Sequence, residues 1–98
     1  MDANGIIATL RAAETVLRSK GVAHAGLFGS RVRDEARDDS DIDILLDMAP
    51  DADLSLFGYV GVAQFVEDLF QDHVHVSNRA ALKAAVRPNV EREARFAF

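Results

Sequence analysis

The chain reads as a small α/β (α+β) domain in which helices pack on a mixed sheet, in the order αβαβαβα. Three observations predict it. Apolar residues recur at helical spacing near the N-terminus and again near residue 65. Between and beyond these stretches lie short apolar or alternating runs of strand length, Val22–Phe28, Asp41–Asp47 and His73–Val76. The 98 residues support one core and therefore a single domain, 1–98.

In order along the chain, Ile6, Leu10, Ala13 and Leu17 mark a first helix, with Asp2 or Asn4 as candidate N-cap and Gly21 as its stop. Val22–Phe28 is a strand closed by Gly29-Ser30, followed by a short helix over Arg31–Ala36 and a polar turn at Arg37-Asp38-Asp39-Ser40. Asp41–Asp47 alternates, Ile42, Ile44 and Leu46 on one face and Asp41, Asp43, Leu45 and Asp47 on the other. After a loop at Pro50, Val62, Phe65, Val66, Leu69 and Phe70 form the stripe of an amphipathic helix begun near Leu54. His73-Val74-His75-Val76 is a third strand, and Arg79–Val86 and Pro88–Arg95 are helical, the second opening on a first-turn proline.

Composition excludes several classes. With no cysteine there is no disulfide framework, thiolate metal site or catalytic thiol. No stretch approaches the roughly 20 apolar residues of a membrane span, and the first twenty residues lack the pattern of a secretory signal, so a cytoplasmic protein is expected. A net charge of −5 argues against direct nucleic-acid binding. The charge is also segregated. Ten of the sixteen acids lie between Asp38 and Asn78, where there is no Lys or Arg, while five basic residues fall in the last twenty positions. Such an acidic middle needs solvation, a partner's cations or a metal.

The chemistry concentrates at Gly29-Ser30 and Asp41-Ile42-Asp43. Two aspartates two apart on a strand leave the same face about 6.6 Å apart. At an effective dielectric near 20 they repel by roughly 2–3 kcal/mol, against ~0.6 kcal/mol in water. A pair in a cleft therefore calls for a cation, and its oxygens suit Mg²⁺ or Mn²⁺ shared with substrate phosphates. A glycine ending a strand lets the backbone turn tightly toward a ligand, and Ser30 adds a hydroxyl for a phosphate oxygen. The alternative for each element is structural: a common strand-to-helix turn and an acidic strand face in water.

The run Leu27-Phe28-Gly29-Ser30-Arg31-Val32-Arg33 through Ser40-Asp41-Ile42-Asp43 resembles the Gly-Ser…Ser-Asp-x-Asp signature of the nucleotidyltransferase superfamily. Chain length, Arg31-x-Arg33 and the segment Val86–Ala94 are similar to its minimal nucleotidyltransferases, the antitoxins of HEPN/MNT toxin–antitoxin pairs. The resemblance implies a mixed-sheet nucleotidyltransferase fold using ATP and Mg²⁺ (or Mn²⁺). Gly29, Ser30, Arg31 and Ser40 would bind the nucleotide, and Asp41 and Asp43 the metal. AMP would pass to a tyrosine of a HEPN-domain toxin. The family's third carboxylate, on the later strand, falls at His75, which replaces a negative charge with an imidazole. Asp34, where a glycine is more usual, is a milder departure.

His73 and His75 share one strand face, the face of Asp41 and Asp43 if the strands are neighbours, whereas Asp72 falls on the other. Two functions follow: a working adenylyltransferase, or a weakened nucleotidyltransferase-fold domain that neutralises its partner by binding. Phe96 and Phe98 are candidates for a partner contact, in a homo-oligomer or a mixed complex, and equally for closing the core. Arg18-x5-His24 and Gly58-x-x-Gly61 mimic ribonuclease and RNA-binding motifs, but the first crosses a helix stop and the second has no nearby cation.

Overall fold

A computed structural model describes residues 1–33, 41–52 and 54–98. Its elements are α1 (Ala3–Ala12), α2 (Glu14–Ser19), β1 (Val22–Phe28), β2 (Ile42–Met48), α3 (Leu56–Glu67), β3 (Val74–Asn78), a 3₁₀ turn at Arg79–Ala81, α4 (Arg87–Glu93) and β4 (Arg95–Phe96). The sheet order is β3-β2-β1-β4, with β2 antiparallel to β1 and parallel to β3. The predicted mixed sheet is therefore present.

Asp2 begins α1 by accepting the Gly5 N–H at 2.8 Å. The expected single N-terminal helix is instead two. At Ala13 the N–H donates to Leu10 O at 3.1 Å, and α2 restarts at Glu14. No residue type in the sequence marks that break, yet Leu10, Ala13 and Leu17 are all buried on either side of it. Gly21, at φ +97°, ends the second helix, and a Cβ there would stand 2.9 Å from that of Ala52.

Alternation divides the sheet into two faces. Ala25 and Leu27 of β1, Ile42, Ile44 and Leu46 of β2, and Val74 of β3 are buried in one core with Ile6, Leu10, Leu17, Val62 and Val66 from the helices and Phe70 from the segment after α3. The opposite face carries Asp43, Leu45 and Asp47 of β2 and His75 of β3. On it Leu45 is fully buried between the two acids.

Several boundaries differ from the sequence pattern. Ser55 accepts the Gly58 N–H and starts α3, but the helix ends at Glu67. Leu69 and Phe70 lie beyond it, where N–H groups bond three residues back (Leu69 to Val66 O, Phe70 to Glu67 O), tightening the chain. The third strand starts one residue late and runs on to Asn78. The helix expected over Arg79–Val86 reduces to the 3₁₀ turn, capped by Asn78 and with no buried residue to favour its extension. After β1, Arg31–Arg33 form a turn on Gly29 O; the rest of the helix expected over Arg31–Ala36 and the turn at Arg37–Ser40 lie outside the described residues.

Strand β4 carries no sequence signal because two residues show no alternation. It pairs with Gly26 and Leu27 of β1, and a Cβ on Gly26 would stand only 3.0 Å from Arg95 O. Among the described residues no helix is long and apolar enough to cross a membrane.

Candidate active site

Residues separated by half a domain in sequence meet at one end of the sheet. β1 and β2 pair Phe28 with Asp43, so the turn leaving β1 lies beside the start of β2. Gly29 takes φ +83°, and a Cβ there would collide with Asp43 Oδ2 and come within 3.1 Å of its Cγ. Only glycine fits both this left-handed backbone and this contact. Gly29 O then accepts N–H groups from Val32 at 3.2 Å and Arg33 at 3.4 Å, folding the turn that holds Ser30.

On the other side of β2, the parallel pairing sets Asp43 opposite His75. His75 Nδ1 lies 3.7 Å from Asp43 Oδ1, and His73 Nδ1 lies 3.1 Å from Asp41 Oδ1. The two histidines do share the face of the two aspartates, as a parallel neighbour requires. Asp43 is the more enclosed carboxylate, its side chain 26% exposed against 53% for Asp41. Burial pushes the Asp43 carboxyl above the ordinary aspartate range; His75 pulls it back, Asp41 adds to the rise and Arg33 opposes it.

The remaining candidates are distributed differently. Arg31 is almost enclosed, its side chain 8% exposed, with Nη1 donating to Met1 O at 2.8 Å and Nη2 3.7 Å from Asp72. The N-terminus and the segment before β3 thus claim this guanidinium. Ser40 lies outside the described residues. Arg33, flagged in sequence only as part of Arg-x-Arg, bonds Glu93 of α4 at 2.7 Å and acts electrostatically on Asp43. Asp47, on the same face as Asp43, is bound by Arg79 at 3.0 Å, and Arg79 also reaches Glu91 at 3.3 Å. These two acids raise the already high pKa of the guanidinium.

The donor set suits a hard divalent cation bound together with phosphates. Two carboxylates share a face, and one is partly desolvated next to the other's charge, so a cation would relieve both costs. Among the described residues no three His, Asp or Glu side chains already converge on one point, so phosphate oxygens and water would complete the coordination. Neither motif set aside in the sequence gains support. Arg18 closes α2 on Glu14 while His24 stands in β1, and Gly58 and Gly61 are interior to α3.

Of the two phenylalanines near the C-terminus, Phe98 is partly buried against the core with its ring covered by Arg18 at 4.9 Å, while Phe96 is 38% exposed. An exposed apolar group that the sequence reading did not single out lies on α3, with Phe57 87%, Leu56 75% and Val60 54% exposed. The helical stripe identified the buried side of α3, and the run Leu56-Phe57 next to it was the available signal.

A nucleotidyltransferase domain profile matches residues 10–97. The protein adenylyltransferase MntA of Thermococcus cleftensis is 37% identical over 73 residues, covering 74% of this chain and 72% of the relative. Among solved structures, a minimal nucleotidyltransferase superposes with a TM-score of 0.78 at 28% identity, over 97% of this chain and 95% of that one. A toxin–antitoxin structure with AMP-PNP superposes at 0.69 and 18% identity, over 92% and 72% of the two chains, which is a likeness of fold.

Proposed function

The chain belongs to the nucleotidyltransferase domain family, and from that premise we propose that it transfers AMP from ATP to a tyrosine hydroxyl of a partner HEPN-type toxin, as the antitoxin of the pair. One observation carries the reading: Gly29 closes on Asp43 so tightly that no side chain fits between them. This contact supports treating the Gly29-Ser30 turn and the carboxylate pair as one site. The relative's adenylyltransferase activity and the toxin–antitoxin context of a structural neighbour supply the reaction and the partner class.

In this reading the Gly29 turn brings backbone to the triphosphate and Ser30 offers its hydroxyl to a phosphate oxygen. Asp41 and Asp43 would hold Mg²⁺ or Mn²⁺, which when bound would supply positive charge to the reacting phosphate and to the pyrophosphate that leaves. Arg31 fixes the turn from behind through Met1 and Asp72. The acceptor comes from the partner, which docks on the exposed Leu56, Phe57 and Val60 of α3, an apolar cluster of the kind that marks protein contacts. The complex is cytoplasmic, and the site engages no nucleic acid or membrane.

A second reading is favoured by His75, which puts a neutral or cationic ring opposite Asp43. There the domain neutralises its partner by binding alone. Incubation with ATP, Mg²⁺ and the protein encoded by the adjacent reading frame separates the two. A mass gain of one AMP on a partner tyrosine, absent with the Asp41→Ala/Asp43→Ala double variant, is expected. Full neutralisation by that double variant with no AMP transferred by the wild type would establish the binding-only reading instead.

A further inference from the structure

Both carboxylates of the site face imidazoles on the adjoining strand, and this arrangement bears on which metal is held. The placement is fixed by backbone. Ile42 N–H donates to His73 O at 2.9 Å, and the parallel register continues with Val74 opposite Ile42 and His75 opposite Asp43. Two donors each about 2.0–2.1 Å from one ion stand about 3.0 Å apart at a right angle and about 3.4 Å at the tetrahedral angle. His75 Nδ1 and Asp43 Oδ1, at 3.7 Å, need to close by less than about 1 Å to share an ion. Both are side-chain atoms, and the His75 side chain is 66% exposed, so a change in χ can supply that movement.

The second pair behaves differently. His73 Nδ1 and Asp41 Oδ1 are at hydrogen-bond distance, 3.1 Å, which orients Asp41. Imidazole is a poor ligand for Mg²⁺, which demands oxygen, and a good one for borderline transition-metal ions.

We propose that His75 supplies a ring nitrogen to the ion held by Asp43, so that the site selects a transition-metal ion over Mg²⁺. The inference rests on the metal–nucleotide reading above. His75 thereby becomes a specificity-determining ligand, and His73 a positioning residue for Asp41.

The test titrates Mg²⁺, Mn²⁺ and Co²⁺ into the intact protein with a non-hydrolysable ATP analogue and records the pulsed EPR spectrum of the Mn²⁺ complex. Wild type, His75→Ala, His75→Gln, His73→Ala and Asp43→Ala are compared after thermal melts establish that each is folded. The expected result is a nitrogen coupling in the wild-type Mn²⁺ spectrum that persists in His73→Ala and disappears in both His75 variants. The Co²⁺:Mg²⁺ affinity ratio should fall about tenfold or more in the His75 variants. An unchanged ratio, or a spectrum without nitrogen coupling, while Mg²⁺ binding still depends on Asp43, would overturn the inference and leave the metal–nucleotide reading standing. Absence of metal binding in the wild type, with or without the analogue, would overturn both.

Discussion

Asp43 and Asp47 stand on the same face of the same strand, four residues apart, and have opposite surroundings. At the Asp47 end, Arg79 neutralises the carboxylate at 3.0 Å and carries the contact on to Glu91, tying the chain after β3 and α4 to β2. At the Asp43 end, the neighbours are a glycine without a side chain, a second carboxylate and an imidazole, with the Arg33 guanidinium, engaged by Glu93, acting on it electrostatically. One end is a finished ion-pair network that stabilises the fold. At the other, burial outweighs the opposing influence of His75 and Arg33 and pushes the carboxyl upward. A group held in that condition is a candidate for function because a ligand cation can relieve it.

The sharpest way to break the comparison is to remove one carboxylate from each end. Asp43→Ala should lower the affinity for metal–ATP about 100-fold or more, read by calorimetric titration, whereas Asp47→Ala should leave that affinity unchanged and lower the melting temperature. Equal effects on nucleotide binding would mean that the two ends are not functionally distinct.

Next in size, Gly29→Ala imposes a side chain on a left-handed backbone, at about 1–3 kcal/mol, and drives a methyl group into Asp43. Chemical denaturation should register the loss of stability, and metal–ATP affinity should fall with it. A variant of full stability and affinity would show that the turn does not close on Asp43.

The smallest effect concerns pH. Because the fold raises the Asp43 pKa, the folded state keeps its proton to higher pH than the unfolded chain does. Ionised Asp43 therefore costs stability, a cost absent below the unfolded-state value of 3.8 and complete above the raised folded value. Without metal, Asp43→Asn should melt higher than the wild type at neutral pH, and the gap should vanish on acidification through that window. A gap that widened toward acid would reverse the assigned direction.

Much of this was legible in one dimension. Alternation at Ile42, Ile44 and Leu46 identified β2 and its buried face, because a period of two admits one assignment once one face must be apolar. Gly29-Ser30 and Asp41-Ile42-Asp43 could be grouped as one candidate constellation from their residue types and spacing. The split at Ala13, the reduction of the Arg79–Val86 helix and strand β4 were not legible. Each depends on what the segment packs against, and no capping or breaking residue announces it. Leu45 was placed correctly on the acidic face, but its complete burial there required the covering elements to be known.

The sequence by itself determined the family, the two-faced strand and the inventory of carboxylates, imidazoles and glycine, since these follow from residue chemistry and local periodicity. Only the tertiary structure decided which acid is held in an ion-pair network and which is pushed upward by burial. Asp43 and Asp47 are the same residue in the same local pattern, and their difference comes from Arg79, Gly29 and His75, brought to them across strands. Electrostatic environment is set by neighbours in space, and spatial neighbours are fixed by strand order and register.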